Sequence, residues 1–346
     1  MSRPVSIAVD VVGGDFAPEV VIDGMRLALA QDDALHVYAV GPQAVVQPFI
    51  ESLAEQDKQR VHAVPAEEII GMGEHPAQAI RSKKDSSIVV GSRLVKDGEC
   101  DGFYSAGSTG ACMAAATLVV GRIKGVNRPA LATVLPSGKK TPTILLDVGA
   151  NADCKPQNLL QFALMGQAYA ESVFEIAQPS VGLLNIGEEE AKGSQLAQDA
   201  YQLMKEKVQN FAGNVEGRDV LAGKVDVIVT DGFTGNVALK LLEGTTSTLL
   251  KKIKEALMSS FVTKLCALPL MGAMRGLRDD LDPDKYGGAP LLGVSGVCAI
   301  GHGSSNATAI KNGILVTAKA ARNDLAQKMA AKFEEVSRLE EVSAHE

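Results

Sequence analysis

Apolar and polar positions along this chain repeat a three-part theme: a short β-branched or apolar run, a glycine-rich turn, then helical spacing. Residues 6–9 lead into Gly13 and Gly14, 102–105 into 107–110, and 143–147 into Gly149. The theme continues with 181–185 into Gly187, 225–230 into 232–235, and 296–300 into 301–303. Runs this apolar suit strands buried on both faces, so the repetition predicts an α/β fold with a mostly parallel sheet covered by helices on both sides. Ligands of such sheets bind beyond the carboxyl ends of the strands. The predicted site is therefore composite, built from several turns.

Two segments break the theme. In 245–287, Leu249, Ile253, Leu257, Phe261 and Leu265 recur every four residues with Lys251, Lys252, Lys254 and Lys264 among them, as in an amphipathic helix with a basic rim. A charge-free run, 265–274, follows and is closed by Arg275 and Arg278. The tail 319–346 reads as a charged amphipathic helix that ends in Glu340, Glu341 and a frayed terminus. Neither a repeat nor a Pro-rich linker divides the chain, so 1–346 is read as a single α/β catalytic unit from which 245–287 protrudes.

Composition narrows the function. With 41 acids against 34 bases, the net charge of -7 argues against a general nucleic-acid binder, which needs a phosphate-neutralising surface. Aromatic residues, at 4%, leave few platforms for stacking bases. The five cysteines are scattered without C-x-x-C spacing and read as reduced thiols. No leader and no apolar span of ~18 residues is visible, which predicts a cytoplasmic protein.

Candidate chemistry lies in the turns. Ser105, Ala106, Gly107, Ser108, Thr109, Gly110 and Ala111 open an Ala-rich helix, whose free N–H groups and positive dipole end suit phosphate. The same residues also describe a tight turn capped by Ser108 or Thr109. The run is neither a Walker loop nor G-x-G-x-x-G, so no nucleotide follows from it. Asp10 is a candidate site carboxylate at a strand end, whereas Asp15 is predicted to cap a helix beginning near Pro18 and Glu19. Asp147, Asn151, Asp153 and Lys155 share one turn, as a buried network or as substrate contacts. Thr230, Asp231, Thr234 and Asn236 are more polar groups than capping the predicted helix 237–242 requires.

Lys192 lies in a charged turn, where a solvated lysine is the ordinary reading. His302 is the one histidine in a glycine-rich turn, a candidate acid or anion donor. The other histidines lack metal-ligand spacing, so neither metal nor cofactor is expected, and no nucleophile elbow points to covalent catalysis. The run 265–274 fits a subunit contact, a cover over an apolar ligand, or a membrane patch formed by Phe261, Leu265, Leu268, Leu270 and Met271; its cationic flanks favour lipid.

In order, Asp10-x-x-Gly13-Gly14-Asp15, Ser105-Ala106-Gly107-x-Thr109-Gly110-Ala111 and Leu146-Asp147-x-Gly149-Ala150-Asn151 resemble the bacterial phosphate acyltransferases of phospholipid synthesis. So do Asn185-Ile186-Gly187-Glu188-Glu189, Lys192-Gly193, Thr230 through Asn236, Tyr286-Gly287-Gly288-Ala289 and Ala299 through Ser305. The likeness spans Ile7 to about Ile314, and its long motifs in the right order make it specific. It implies transfer of a fatty acyl group from acyl-[acyl carrier protein] to inorganic phosphate. It also implies a three-layer α/β/α sandwich similar to the isocitrate and isopropylmalate dehydrogenases and phosphotransacetylases, a homodimer, and peripheral contact with the inner face of the cell membrane beside the next acyltransferase. Lys192 and Asn236 match positions implicated in catalysis. Ser108 and Val12 stand where that pattern has Asn and Met, and Ser108 keeps a hydroxyl donor.

Such a reaction asks for charge neutralisation, because phosphate is itself the nucleophile and a thiol of ordinary pKa ~8.5 leaves readily. Lys192 would supply positive charge and Asn236 a donor to phosphate or oxyanion. Gly107, Ser108, Thr109 and Gly110 would cradle phosphate together with Asp10, Asn151 and Thr234, and His302 would be a second donor or the acid toward sulfur. An acidic carrier protein needs a basic patch, either Arg81, Lys83 and Lys84 or Lys251, Lys252 and Lys254. The rival expectations are a phosphotransacetylase acting on acyl-CoA, a nicotinamide-dependent dehydrogenase of the same fold class, and a lipid-binding protein without enzymatic activity.

Overall fold

Successive residues of a strand face opposite sides of a sheet. In β1 (Val5–Asp10) Val5, Ile7 and Val9 accordingly join one buried apolar cluster and Ala8 another. The computed structural model describes residues 3–139, 141–270, 272, 274, 276 and 283–343, and in it this two-sided burial extends across one 11-stranded sheet. The other strands are β2 (Leu35–Gly41), β3 (Val61–Pro65), β4 (Gly102–Ser105), β5 (Ala130–Leu135) and β6 (Thr143–Leu146). They are followed by β7 (Val181–Asn185), β8 (Phe211–Glu216), β9 (Val227–Val229), β10 (Ala289–Leu292) and β11 (Val297–Ile300). Their order is β3-β2-β1-β4-β11-β10-β5-β6-β9-β7-β8.

One layer contains helices Glu19–Gln31, Pro156–Phe174, Gln195–Lys207, Ala307–Arg322 and Leu325–Ser343, whose buried residues form the first cluster with the sheet. The opposite layer contains Pro76–Ser82, Ser87–Lys96 and Thr109–Ala115, and Leu239 and Leu242 of the long helix Gly232–Leu257 pack there too. The result is the expected three-layer α/β/α sandwich.

Strand direction changes three times, because β10 is antiparallel to both β11 and β5, and β5 to β6; all other neighbours are parallel. β1 and β4 therefore run opposite to β6, β9 and β7. Phe103 pairs with Cys298, Cys298 with Leu291, and Leu291 with Leu131, whose N–H bonds Asp147 just beyond β6. Register thus sets the carboxyl end of β6 level with the middle of β4, which lets turns of two opposed strand sets share one groove.

Several local expectations change. Beyond the six strands legible in the sequence stand β2, β3, β5, β8 and β10. The helix predicted at 237–242 begins at Gly232 and runs through residue 245 to Leu257. The four-residue apolar stripe is interrupted after it, where Ser260 and Thr263 exchange backbone and side-chain bonds and start Phe261–Ala267. The last helix begins at Leu325, after a break in which Asp324 has φ 54°. Asp15 caps nothing: the first helix has Pro18 at its N-cap without a side-chain bond, and the Asp15 N–H turns instead to the Gly303 carbonyl at 2.8 Å.

Gly24 lets helices Glu19–Gln31 and Ala307–Arg322 approach closely, since a Cβ there would stand 2.5 Å from Cβ and Cγ2 of Ile310. Gly24→Ala should therefore overpack this contact and lower unfolding stability by about 1–3 kcal/mol in urea titration. Unchanged stability would refute the close approach.

Candidate functional site

The turns after β1, β4 and β11 pack together around a buried carboxylate. Asp10 accepts from Ser105 Oγ at 2.7 Å and from Val12 N at 3.2 Å, and Ser105 Oγ in turn accepts from Gly107 N at 3.0 Å. Burial pushes the Asp10 carboxyl above its usual range, against hydrogen bonds from Ser87, Ser105 and two backbone N–H groups that favour the anion. Asp10, expected as a phosphate contact, is thus directed inward and orders the turn at Gly107 through Ser105.

Ser108, buried, is the N-cap of Thr109–Ala115 and accepts from Ala111 N at 3.4 Å, and its hydroxyl hydrogen has no acceptor among the described residues. The Gly107 N–H is spent on Ser105, whereas those of Ser108, Thr109 and Gly110 have no internal acceptor among the described residues. His302 is exposed, and its Nδ1 accepts from Ser304 N at 3.2 Å and meets Ser304 Oγ at 2.7 Å. A backbone N–H can only donate, so in the neutral ring the proton sits on Nε2. That makes His302 an outward hydrogen-bond donor.

A second group of turns follows β6, β9 and β7. Asp147 is fully buried and accepts from the N–H groups of Leu131, Gly149, Ala150 and Asn151 at 2.7–3.2 Å and from Asn151 Nδ2 at 2.8 Å. Burial raises its carboxyl and these donors oppose the shift. Asn151 also donates to Pro129 O at 2.8 Å, so both its amide hydrogens are used inside the protein. Thr234 donates its hydroxyl to Asp231, the N-cap of Gly232–Leu257. Asn151 and Thr234 therefore hold their turns.

Asn236 is half-buried and donates one amide hydrogen to Val148 O at 3.0 Å, beside Gly149, where a Cβ would stand 2.8 Å from Asn236 Nδ2. Its second amide hydrogen has no internal acceptor among the described residues. Lys192 lies in the turn of the neighbouring strand β7, exposed and without an ion pair among the described residues. In that turn Glu188 is paired with Lys224 at 2.6 Å and Glu190 with Lys205 at 3.1 Å, which leaves the Lys192 charge available. Gly110 and Asn151 line one open groove of about 500 Å³, so the two groups of turns share a wall.

The remaining expected residues are distributed over the surface. Lys83 is engaged with Glu74 and the Ile69 carbonyl, both at 2.7 Å, while Arg81 and Lys84 are exposed. Lys251, Lys252 and Lys254 project from the far half of the long helix. Leu265 and Leu270 are 59% and 52% exposed. Met271, Arg275, Arg278 and the side chains of Phe261 and Leu268 lie outside the described residues. No described helix is long and apolar enough to cross a membrane, and no three His, Cys, Asp or Glu side chains among the described residues group as metal ligands.

A family model described as fatty acid synthesis protein matches residues 5–328. The chain belongs to the fatty acid synthesis protein family. This family member is 48% identical over 328 residues to a phosphate acyltransferase of Clostridium perfringens (strain SM101 / Type A), covering 94% of this chain and 96% of that one. It is 50% identical over 331 residues to a phosphate acyltransferase of Heliobacterium modesticaldum, covering 95% and 96%. A phosphotransacetylase from Streptococcus pyogenes shares the fold, with a TM-score of 0.59 over 92% of this chain and 94% of that one at 17% identity.

Sequence reasoning passed over Ser105 as a positioning group, because its partner Asp10 is 95 residues away. The pairing has a pH consequence. In the unfolded chain Asp10 titrates near ~3.9, whereas the folded protein holds that proton to higher pH. The native state therefore binds more protons within that window, and the contribution of Asp10 to stability falls as pH rises through it. Relative to wild type, Asp10→Asn should gain unfolding free energy as pH rises from about 4 toward neutrality, read by urea melts at successive pH. A pH-independent difference would overturn the assignment.

Proposed function

We propose that this fatty acid synthesis family member is a phosphate acyltransferase that moves a fatty acyl group from acyl-[acyl carrier protein] to inorganic phosphate, supplying acyl phosphate for phospholipid synthesis. The observation that carries this reading is the 48–50% identity to proteins of that name over some 95% of the chain. In the transfer, a phosphate oxygen attacks the thioester carbonyl carbon and forms the C–O bond. The C–S bond breaks, and the carrier thiolate takes up a proton.

The side chains suit that step. A phosphate dianion approaching a carbonyl that becomes an oxyanion needs positive charge and fixed donors. Lys192 provides the charge and the free amide hydrogen of Asn236 provides a donor. The unpaired N–H groups of Ser108, Thr109 and Gly110 with the Ser108 hydroxyl form the phosphate cradle. His302, with its proton on Nε2, acts as a further donor. No step requires an activated serine or cysteine, and burial pushes the Cys112 thiol up to about 12, far from a nucleophilic thiolate.

The same reading includes a homodimer in peripheral contact with the membrane. Phe233, Val237 and Leu241, spaced every four residues, form an exposed stripe on the helix that carries Asn236, and Ile186 is exposed in the turn that carries Lys192, an apolar surface suited to a second copy. Leu265 and Leu270, near Lys251, Lys252, Lys254 and Lys264 in sequence, suit insertion into anionic lipid.

Lys192→Ala and Asn236→Ala should each lower kcat for acyl phosphate formation about 10²- to 10³-fold while leaving circular dichroism unchanged. Near-normal turnover by either folded variant would remove that residue from the chemistry. Wild-type protein that acylates phosphate from acetyl-CoA but not from long-chain acyl carrier protein would replace the donor in this reading. Leu265→Glu with Leu270→Glu should reduce co-sedimentation with anionic vesicles, and equal recovery would sink the membrane assignment.

A further inference from the structure

From Gly102 to Leu146 the sequence has five cations, Arg122, Lys124, Arg128, Lys139 and Lys140, and no acid. At the chain average of 41 acids in 346 residues, 45 residues would hold about five. Three of these cations stand on one exposed loop, 121–129, between the helical segment Ala116–Val120 and β5. Elsewhere cations are commonly neutralised, as in Lys83–Glu74, Lys205–Glu190, Lys224–Glu188, Arg322–Asp32 and Lys332–Glu171. Arg122, Lys124 and Arg128 have no carboxylate partner within 4.0 Å among the described residues.

The loop is held in shape without using up its charge. Arg122 Nη1 donates to Asn127 O, and Arg128 Nη1 donates to Asp153 O at 2.8 Å, so each guanidinium is anchored through one nitrogen to a neutral carbonyl. Its other N–H groups stay available in a fixed fork, the geometry that grips phosphate oxygens.

Both arginines line the groove of about 500 Å³ that Gly110 and Asn151 also line. Arg128 stands beside Asn151, which bonds the carbonyl of the adjacent Pro129, whereas Gly110 lies at the start of the helical run that leads to Arg122. Along that run the lining is mainly apolar, with Met113 and Leu118, and Leu118 is 58% exposed. Leu118 lies on a π-helical turn, Ala116–Val120, a local departure from α-helix often found at functional sites. The groove thus runs from the cations of loop 121–129 past an apolar helical face to Gly110 at the start of that helical run.

We propose that loop 121–129 is the docking surface for the acidic carrier protein, and that the groove takes the carrier's phosphopantetheine arm. The phosphodiester lies between Arg122 and Arg128, the arm follows Leu118 and Met113, and the thioester reaches Gly110. Lys124 faces the acidic surface of the carrier. This assignment rests on the acyl-carrier reading of the function and replaces both lysine-rich patches suggested by the sequence as the primary contact. A free phosphate ion would fit the two guanidinium groups equally well, so the test separates the two sources.

Arg122→Glu with Arg128→Glu should raise the KM for acyl-[acyl carrier protein] about tenfold and flatten its salt dependence, with the KM for inorganic phosphate unchanged. Lys124→Glu, whose ammonium has no partner to lose among the described residues, should raise the carrier KM about threefold and serves where the double variant fails to fold. Unchanged carrier KM in a folded variant overturns the proposal. So does a rise confined to the KM for phosphate, which would make the arginines a phosphate site, or a loss confined to co-sedimentation with anionic vesicles. Should wild-type protein form no acyl phosphate, the functional reading fails; fluorescence anisotropy of labelled holo carrier protein then tests docking alone, with equal affinity for wild type and variant overturning it.

Discussion

The buried carboxylate of Asp147 is the constraint around which half of the site is arranged. A charge without solvent is costly unless its lone pairs are met by donors, and here four backbone N–H groups and one amide meet them. Meeting them fixes the turn from Gly149 to Asn151, ties it to β5 through Leu131, and forbids side chains nearby. A Cβ on Gly232 would stand 2.8 Å from Asp147 Oδ2, and one on Gly235 would collide with the Asp147 carbonyl. The helix carrying Asn236 consequently approaches this turn through glycine backbone. Val148 O then holds Asn236 by one amide hydrogen and leaves the other outward. Asp10 plays the corresponding part in the other half of the site, ordering the Gly107 turn through Ser105. Both carboxylates are turned inward, and the groups left outward are neutral donors or cations, the character that the proposed approach of a phosphate dianion requires.

How these two halves come together is a matter of strand direction. In a purely parallel sheet the carboxyl ends of all strands lie along one edge, whereas here three antiparallel pairings invert the second set. The inversion would separate the turns were it not for register. Leu131 lies opposite Leu291, so β6 ends level with the middle of β4, and Asn151 and Gly110 come to line one groove. The antiparallel strands β5 and β10 in the middle of the sheet are therefore what make a composite site possible.

The same two strands show why the sequence disclosed only part of the fold. Strands followed by a glycine-rich turn and a helix stand out by their pattern, and β1, β4, β6, β7, β9 and β11 are of that kind. β5 runs from a loop into a loop, and β10 is four residues long with a proline in it, so neither carries the marker. The turns of the site were legible for the same reason that their strands were. Which residues within each turn face outward was not. Asp10 is committed to Ser105, Asn151 to Pro129 and Asp147, and Thr234 to Asp231; of these partners Ser105 and Pro129 are distant in sequence and belong to other elements. Local sequence specifies that a polar group is present, and only the tertiary partner specifies whether it is already spent.

Charge follows a similar logic. A protein of net charge -7 that handles anions cannot rely on its average field, which solvent ions screen beyond about 8–10 Å in any case. What a ligand meets is the local balance, and that depends on which carboxylates are already paired. Around Lys192, Glu188 and Glu190 are drawn toward Lys224 and Lys205. Around Arg122 and Arg128 the chain simply omits acids over 45 residues. By pairing in one place and omission in the other, an acidic protein presents unneutralised positive charge at two points of its surface.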